Sequence, residues 1–235
     1  MHLTVQPVVP TDFDTAKHLY GPETGDVVAP LCAAIWHVDP TDTATAKHRA
    51  EWSCQQQKEL LEGAPTAHVV KVVDTDAKPG EEIVAIARWH EYKRGNEHIG
   101  DLELIGRKDR DDPATWPEGL DRDFYLGFCD EAYSARRAWM GEGHYWGMST
   151  SNTPFLTTIV TREPLRKHGA GSMLLDWGLE QAKKAGVPAY LEAVPQAMGL
   201  YAKHGFRDVG RHVTDCTPFG LPGVSFEVAR MRADP

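Results

Sequence analysis

Cysteine is scarce in this chain: Cys32, Cys54, Cys129 and Cys216 are scattered over 235 residues and form no Cys-x-x-Cys pair. That scarcity argues against a disulfide-framed scaffold and against a zinc site, and it suits a reducing compartment. Long apolar runs are missing too, since none approaches the roughly 18–20 residues that a membrane span needs. The opening stretch, Met1-His2-Leu3-Thr4-Val5-Gln6, lacks the basic and then apolar regions of a secretory signal. A cytoplasmic protein with no membrane partner is therefore expected. Positive charge is in deficit, with 25 Lys and Arg against 34 Asp and Glu. Nucleic acid is bound through phosphate neutralisation, so it is not an expected partner. The 11 histidines show neither His-Glu-x-x-His nor paired spacing, and no metal is expected. Internal repeats and low-complexity tracts are absent as well.

The deficit is uneven. Residues 151–235 hold 10 basic and 8 acidic residues, whereas residues 1–150 hold 15 and 26. Such a division suits a polyanionic cofactor on the later half and a cationic substrate near the earlier one, although an acidic surface also serves solubility alone. With 41% hydrophobic residues, the chain can bury one sizeable core, and a single domain over residues 1–235 is expected.

Periodicity and turn residues give the order of elements. Leu3 to Val9 alternates as a strand, and Thr11-Asp12 opens a helix to about Tyr20. A loop over Gly21 to Gly25 and a short apolar helix within Val28–Val38 follow. Asp42 or Thr43 starts a long helix through Leu61, ended by Gly63. His68–Asp74 and Glu82–Trp89 make a hairpin about Lys78-Pro79-Gly80. From about 93 to 150 the pattern loosens into an insertion, with a helix from about Arg122 to Met140. Phe155–Thr161 is a strand, Pro188–Ala193 another, and Gln196–His204 a short helix ended by Gly205. Phe206–Val213 and Val224–Met231 close the chain as an antiparallel pair.

The stretch that carries chemistry is Arg166-Lys167-His168-Gly169-Ala170-Gly171-Ser172, set between the Phe155–Thr161 strand and an amphipathic helix. Gly169 and Gly171 remove side chains where the backbone turns into the helix, so successive N–H groups can face an anion. Arg166 and Lys167 add positive charge beside that bowl. Together these residues make a receptor for a pyrophosphate-bearing cofactor. A dinucleotide fingerprint fits poorly, because its sixth position is Leu174 and seven residues separate Thr161 from Gly169. A Walker loop is excluded, since no Gly-Lys-Ser/Thr follows.

Arg166-Lys167-His168-Gly169-Ala170-Gly171 resembles motif A of the GCN5-related N-acetyltransferases (GNAT), Arg/Gln-x-x-Gly-x-Gly/Ala. A second block, Tyr190-Leu191-Glu192-Ala193 followed by Ala197, Leu200-Tyr201 and Gly205-Phe206, is similar to another signature of that family. The likeness covers about residues 155–210 and looks most like fungal-type members. It implies an α/β fold whose mixed, mostly antiparallel sheet is splayed at the cofactor site and flanked by helices. It implies acetyl-CoA as cosubstrate, with backbone groups near Ile159, Val160 and Thr161 pairing with pantetheine. The N–H groups of Arg166, Lys167, His168, Gly169, Ala170, Gly171 and Ser172 would then hold the pyrophosphate. Tyr201 matches the position of the general acid for the departing thiolate. Where many relatives carry an Asn, seven residues before that tyrosine, this chain has Val194, so that side-chain contact is lost or supplied by backbone.

The resemblance implies an N-acetyltransferase that moves acetyl to a primary amine by direct attack in a ternary complex. A small cationic acceptor is expected from the acidic first half, and the enzyme is expected as a monomer or homodimer. A non-catalytic acyl-CoA-binding module on the same fold is the alternative. Glu192, a carboxylate at a strand end by the gap, is either a candidate for the base or a structural or cofactor-side residue. His90, Glu91, Asp123, Asp130, Glu131, His144 and a water chain are the other candidates for the base. Trp139, Tyr145 and Trp146 either wall an acceptor pocket or belong to the core.

Overall fold

The computed structural model describes residues 1–19, 43–63, 67–92, 119–127, 145–148, 159–219 and 221–235. The expected apolar helix within Val28–Val38, most of the 93–150 stretch and residues 155–158 lie outside them. Eight strands form one sheet: β1 (Leu3–Pro7), β2 (Ala67–Asp74), β3 (Ile83–Tyr92), β4 (Tyr145–Met148), β5 (Ile159–Thr161), β6 (Ala189–Ala193), β7 (Arg207–Asp215) and β8 (Ser225–Ala233). The order is β1-β2-β3-β4-β6-β8-β7, with β5 also on β3. Every pairing is antiparallel except β4 with β6, which is parallel. The helices are α1 (Asp12–Thr15, extended by a 3-10 turn over Ala16–Leu19), α2 (Thr43–Gly63), α3 (Ala170–Ala185) and α4 (Met198–Lys203). A helical turn at residues 122–127 stands where a longer helix is expected, and the rest of that expectation lies outside the described residues.

The sheet is covered on both faces. On one, α3 and α4 pack Leu174, Leu175 and Tyr201 against Val72, Ala87, Trp89, Leu191 and Met231. On the other, Phe13, Leu19 and Cys54 pack against Val69, Ile86 and Val160. Two covered faces explain why β3 reads as an almost unbroken apolar run, with Ile83 to His90 all buried.

The contact between α3 and the sheet depends on a glycine. A Cβ at Gly178 would lie 2.0 Å from Cε2 of Trp89. The Trp89 indole N–H donates to the Leu174 carbonyl at 3.3 Å, which fixes the ring beneath the helix. At its far end α3 stops on Gly186 (φ +67), whose N–H donates to the Ala182 and Lys183 carbonyls.

One strand is not foreseen from the sequence. Tyr145–Met148 lies inside the sheet, pairing with β3 at His90↔Gly147 and with β6 at Gly147↔Tyr190. β5 lies on the same side of β3, at Ala87↔Ile159 and Ala85↔Thr161. His90 and Ala87 are three residues apart on β3, whereas their partners Gly147 and Ile159 are twelve apart. Thus β4 and β5 form one interrupted line along β3. β6 follows only the first half of that line.

Candidate functional site

The site begins where β5 and β6 part. The parallel ladder ends at Met148↔Leu191. Beyond it Glu192 and Ala193 pair only with β8, and Ile159–Thr161 pair only with β3, among the described residues. The edges of β5 and β6 that face this gap do not pair with one another among the described residues, and they leave backbone donors and acceptors along a wedge.

The loop between β5 and α3 closes one end of that wedge. Arg162 N–H continues the ladder to the Val84 carbonyl at 2.9 Å, and a 3-10 turn over Glu163–Leu165 follows. Lys167 then takes φ +67 and Gly169 φ +91. The left-handed region is easy for glycine but costs a lysine roughly 1–2 kcal/mol. The Arg166 N–H, expected in the anion bowl, instead donates to the Glu163 carbonyl at 3.1 Å and closes the 3-10 turn; the N–H groups of Lys167 through Ser172 donate to no acceptor among the described residues, and the first helical bond is Met173 N–H to the Gly169 carbonyl, 3.0 Å. The first turn of α3 holds no acidic residue, while Lys183 and Lys184 occupy the last. The helix start is thus a bowl of free donors at the positive end of a dipole, suited to an anion. Arg166 turns partly inward, its Nε 3.4 Å from the Thr161 carbonyl, while Lys167 and His168 are exposed.

At Gly171 the three walls meet. A Cβ there would stand 3.6 Å from Leu200 Cδ2 on α4, 3.8 Å from Ile159 Cδ1 and 3.9 Å from Thr161 Oγ1. The structure therefore brings together the start of α3, β5 and α4. On α4, Tyr201 is buried and meets Phe206 edge-on, ring centroids 6.1 Å apart. Burial pushes its phenol well above the ordinary range. Its hydroxyl makes no hydrogen bond among the described residues, so the side chain is not an anchor through that group.

Glu192 lies on the other face. Ala189, Leu191 and Ala193 pack with α3, so the alternate residues Tyr190 and Glu192 point away from it. Tyr190 Oη donates to Glu192 Oε1 at 3.1 Å, and both residues are buried. His90 and Tyr190 flank Gly147 in one row across the sheet. On that face Arg88, also buried, donates from Nη1 to Gln57 Oε1 of α2 at 3.1 Å.

Among the other candidate bases, His90 is fully buried on the Glu192 face, and Glu91, one residue on, falls on the α3 side. Glu91 lies near His68, whose imidazole is lowered by burial and raised to a lesser degree by that carboxylate. Asp123 is exposed. Asp130, Glu131, His144 and Trp139 lie outside the described residues, and Tyr145 and Trp146 form β4. Sequence reading does not find the line Ser172–His204–Asp176, with His204 Nε2 3.0 Å from Ser172 Oγ and Nδ1 2.8 Å from Asp176 Oδ1. Its members are 28 and 32 residues apart, and only the α4 end signal marks His204. No group of three or more metal-ligating side chains, and no helix long and apolar enough to cross a membrane, occurs among the described residues.

The model of the acetyltransferase (GNAT) family matches residues 33–206. A protein named probable acyltransferase SID5, from Ajellomyces capsulatus, is 39% identical over 46 residues, which is 20% of this chain and 34% of that protein's length. Arylalkylamine N-acetyltransferase 2 from Aedes aegypti superposes with a TM-score of 0.59 at 10% identity, covering 100% of this chain and 99% of that one. A GNAT superfamily phosphinothricin acetyltransferase from Sinorhizobium meliloti, in complex with AcCoA, gives a TM-score of 0.52 at 14% identity, covering 100% and 89%. At these identities the two structures share the fold.

Proposed function

This chain belongs to the GNAT family of acetyltransferases, and we propose on that premise that it transfers acetyl from acetyl-CoA to a primary amine by direct attack in a ternary complex. The observation that carries the reading is the wedge between β5 and β6, headed by the free N–H groups of Lys167 to Ser172. Pantetheine has two amides that can pair with the backbone of Ile159, Val160 and Thr161. The diphosphate fits the donors at the start of α3.

In this reading the thioester passes through the opening in the sheet, with acid and base on opposite faces. The amine approaches from the Glu192 side. There a buried carboxylate attracts an ammonium ion and takes or relays its proton before attack. The thiolate leaves toward Tyr201. On aqueous values a phenol is a weaker acid than a thiol, so proton transfer coincides with thiolate formation. Burial helps, because the dry cleft that disfavours the phenolate also disfavours the departing thiolate. Glu192, together with the excess of acidic residues in positions 1–150, supports a small cationic acceptor.

The test is an amine screen with acetyl-CoA that reports free thiol, run with the parent, Tyr201→Phe and Glu192→Gln. Removing a positioned acid or base lowers kcat by about 100-fold or more, with CoA affinity retained. Tyr201→Phe turning over as fast as the parent would remove the proton-donor role. Tight CoA binding with no thiol release for any amine class would leave a binding module instead of an enzyme.

A further inference from the structure

The line Ser172–His204–Asp176 has no part in the reaction as derived so far. Ser172 and Asp176 stand one turn apart on α3, and His204 ends α4, its N–H donating to the Tyr201 carbonyl at 3.0 Å. The imidazole therefore ties the helix that carries Tyr201 to the helix start that faces the diphosphate site. His204 Nδ1 lies 2.8 Å from Asp176 Oδ1 and Nε2 lies 3.0 Å from Ser172 Oγ. A carboxylate only accepts, so Nδ1 carries a proton and donates to Asp176.

The Ser172 hydroxyl then has two states. With a neutral imidazole, Nε2 is an acceptor, and Ser172 spends its proton on it. With an imidazolium, Nε2–H donates to Ser172 Oγ and the hydroxyl proton is released for another acceptor. Ser172 is the last residue of the free N–H run, so the acceptor in reach of that bowl is a phosphate oxygen. We propose that binding of the CoA diphosphate takes one proton from solvent onto His204, turning the Ser172 hydroxyl from the imidazole to the phosphate, so that the grip on the diphosphate weakens as pH rises. This rests on the acyl-CoA reading above.

The charged groups around the imidazole come from α3, α4, β7 and the loop before α3. Asp176 on α3 is its carboxylate partner among the described residues. Lys203, the neighbour on α4, is exposed. On β7, Arg207 is engaged with Asp234. Arg166, Lys167 and His168 lie on the loop before α3 and face the same anion site.

Calorimetry with dephospho-CoA tests the proposal, because that ligand keeps the diphosphate and lacks the phosphomonoester that itself titrates near neutrality. Titrations in two buffers of different ionisation heat count the protons taken up. For the parent, uptake approaches one on the alkaline side, and affinity there falls by up to about tenfold per pH unit. His204→Gln offers Ser172 a permanent, uncharged N–H, so uptake vanishes and the profile flattens. Ser172→Ala weakens binding about tenfold at low pH, the scale of a hydrogen bond to a charged group, and little at high pH. Equal proton uptake in parent and His204→Gln, a flat parent profile, or a loss in Ser172→Ala that ignores pH would each overturn the proposal. No binding of CoA or dephospho-CoA by folded parent would instead end the acyl-CoA reading itself.

Discussion

Replacing Gly178 by alanine tests how the anion-binding end of α3 is held in place. The added Cβ would stand 2.0 Å from Cε2, 2.1 Å from Cζ2 and 2.5 Å from Cδ2 of Trp89. Carbon atoms rest at about 3.5–4.0 Å, so ring or helix must give by roughly 1.5 Å. The ring has little freedom, being fully buried and hydrogen-bonded to the Leu174 carbonyl. Overpacking of this kind costs about 1–3 kcal/mol, and a clash so deep belongs near the top of that range. Alanine regains about 1 kcal/mol of helix propensity over glycine. The net loss is about 2 kcal/mol, or roughly 4–8 °C in Tm for a chain of this size. Thermal unfolding by circular dichroism measures it. A tilted α3 also misaligns its first-turn N–H groups, so KM for acetyl-CoA should rise several-fold while KM for the amine moves less. Combining Gly178→Ala with Trp89→Phe should recover part of the loss, with a coupling above about 0.5 kcal/mol. A Gly178→Ala protein as stable as the parent, with unchanged KM for acetyl-CoA, would refute the argument.

Lys167→Gly removes a left-handed lysine (φ +67), so thermal stability should rise by up to about 1 kcal/mol, while CoA binding by calorimetry weakens through the lost charge. Tyr201 is held neutral by burial, so its absorbance should show no phenolate until the pH exceeds the ordinary tyrosine range. Because the folded value is the raised one, its contribution to stability is complete below that range and lost above it. Asp74 titrates in the opposite sense. Burial alone would raise its carboxyl, but the N–H groups of His2 (2.9 Å) and Asp76 (3.1 Å) donate to it and hold it below the usual 3.8. Its contribution is present above the unfolded value and lost as pH falls through the folded one, so Asp74→Asn should flatten acid unfolding followed by fluorescence.

What the sequence makes legible is what local chemistry decides. The hairpin of β2 and β3 is visible because valines and isoleucines flank Lys78-Pro79-Gly80. The start of α3 is visible because glycines beside basic residues have few other uses. β4 is not legible: Tyr145-Trp146-Gly147-Met148 has no alternation of its own, and its backbone is held by β3 on one side and β6 on the other. Gly178 reads as a flaw in a helix until Trp89, 89 residues earlier, is set beneath it. Lys167 shows its charge in the sequence but not its backbone angle, which depends on how the loop must turn. The same holds for His204, whose partners come from α3. Tyr201 and Glu192 stand out in the sequence through the blocks that contain them, yet no local signal tells that they take opposite faces of the sheet.

That division between faces has an evolutionary side. If donor and acceptor meet only through a window in the β-layer, the surface that recognises the amine shares no wall with the one that recognises the nucleotide. Drift in the first can then redirect the enzyme toward new acceptors while the second stays as it is. Variation among close relatives should therefore gather on the α2 side, and a chimera exchanging only that side should inherit its donor's choice of amine.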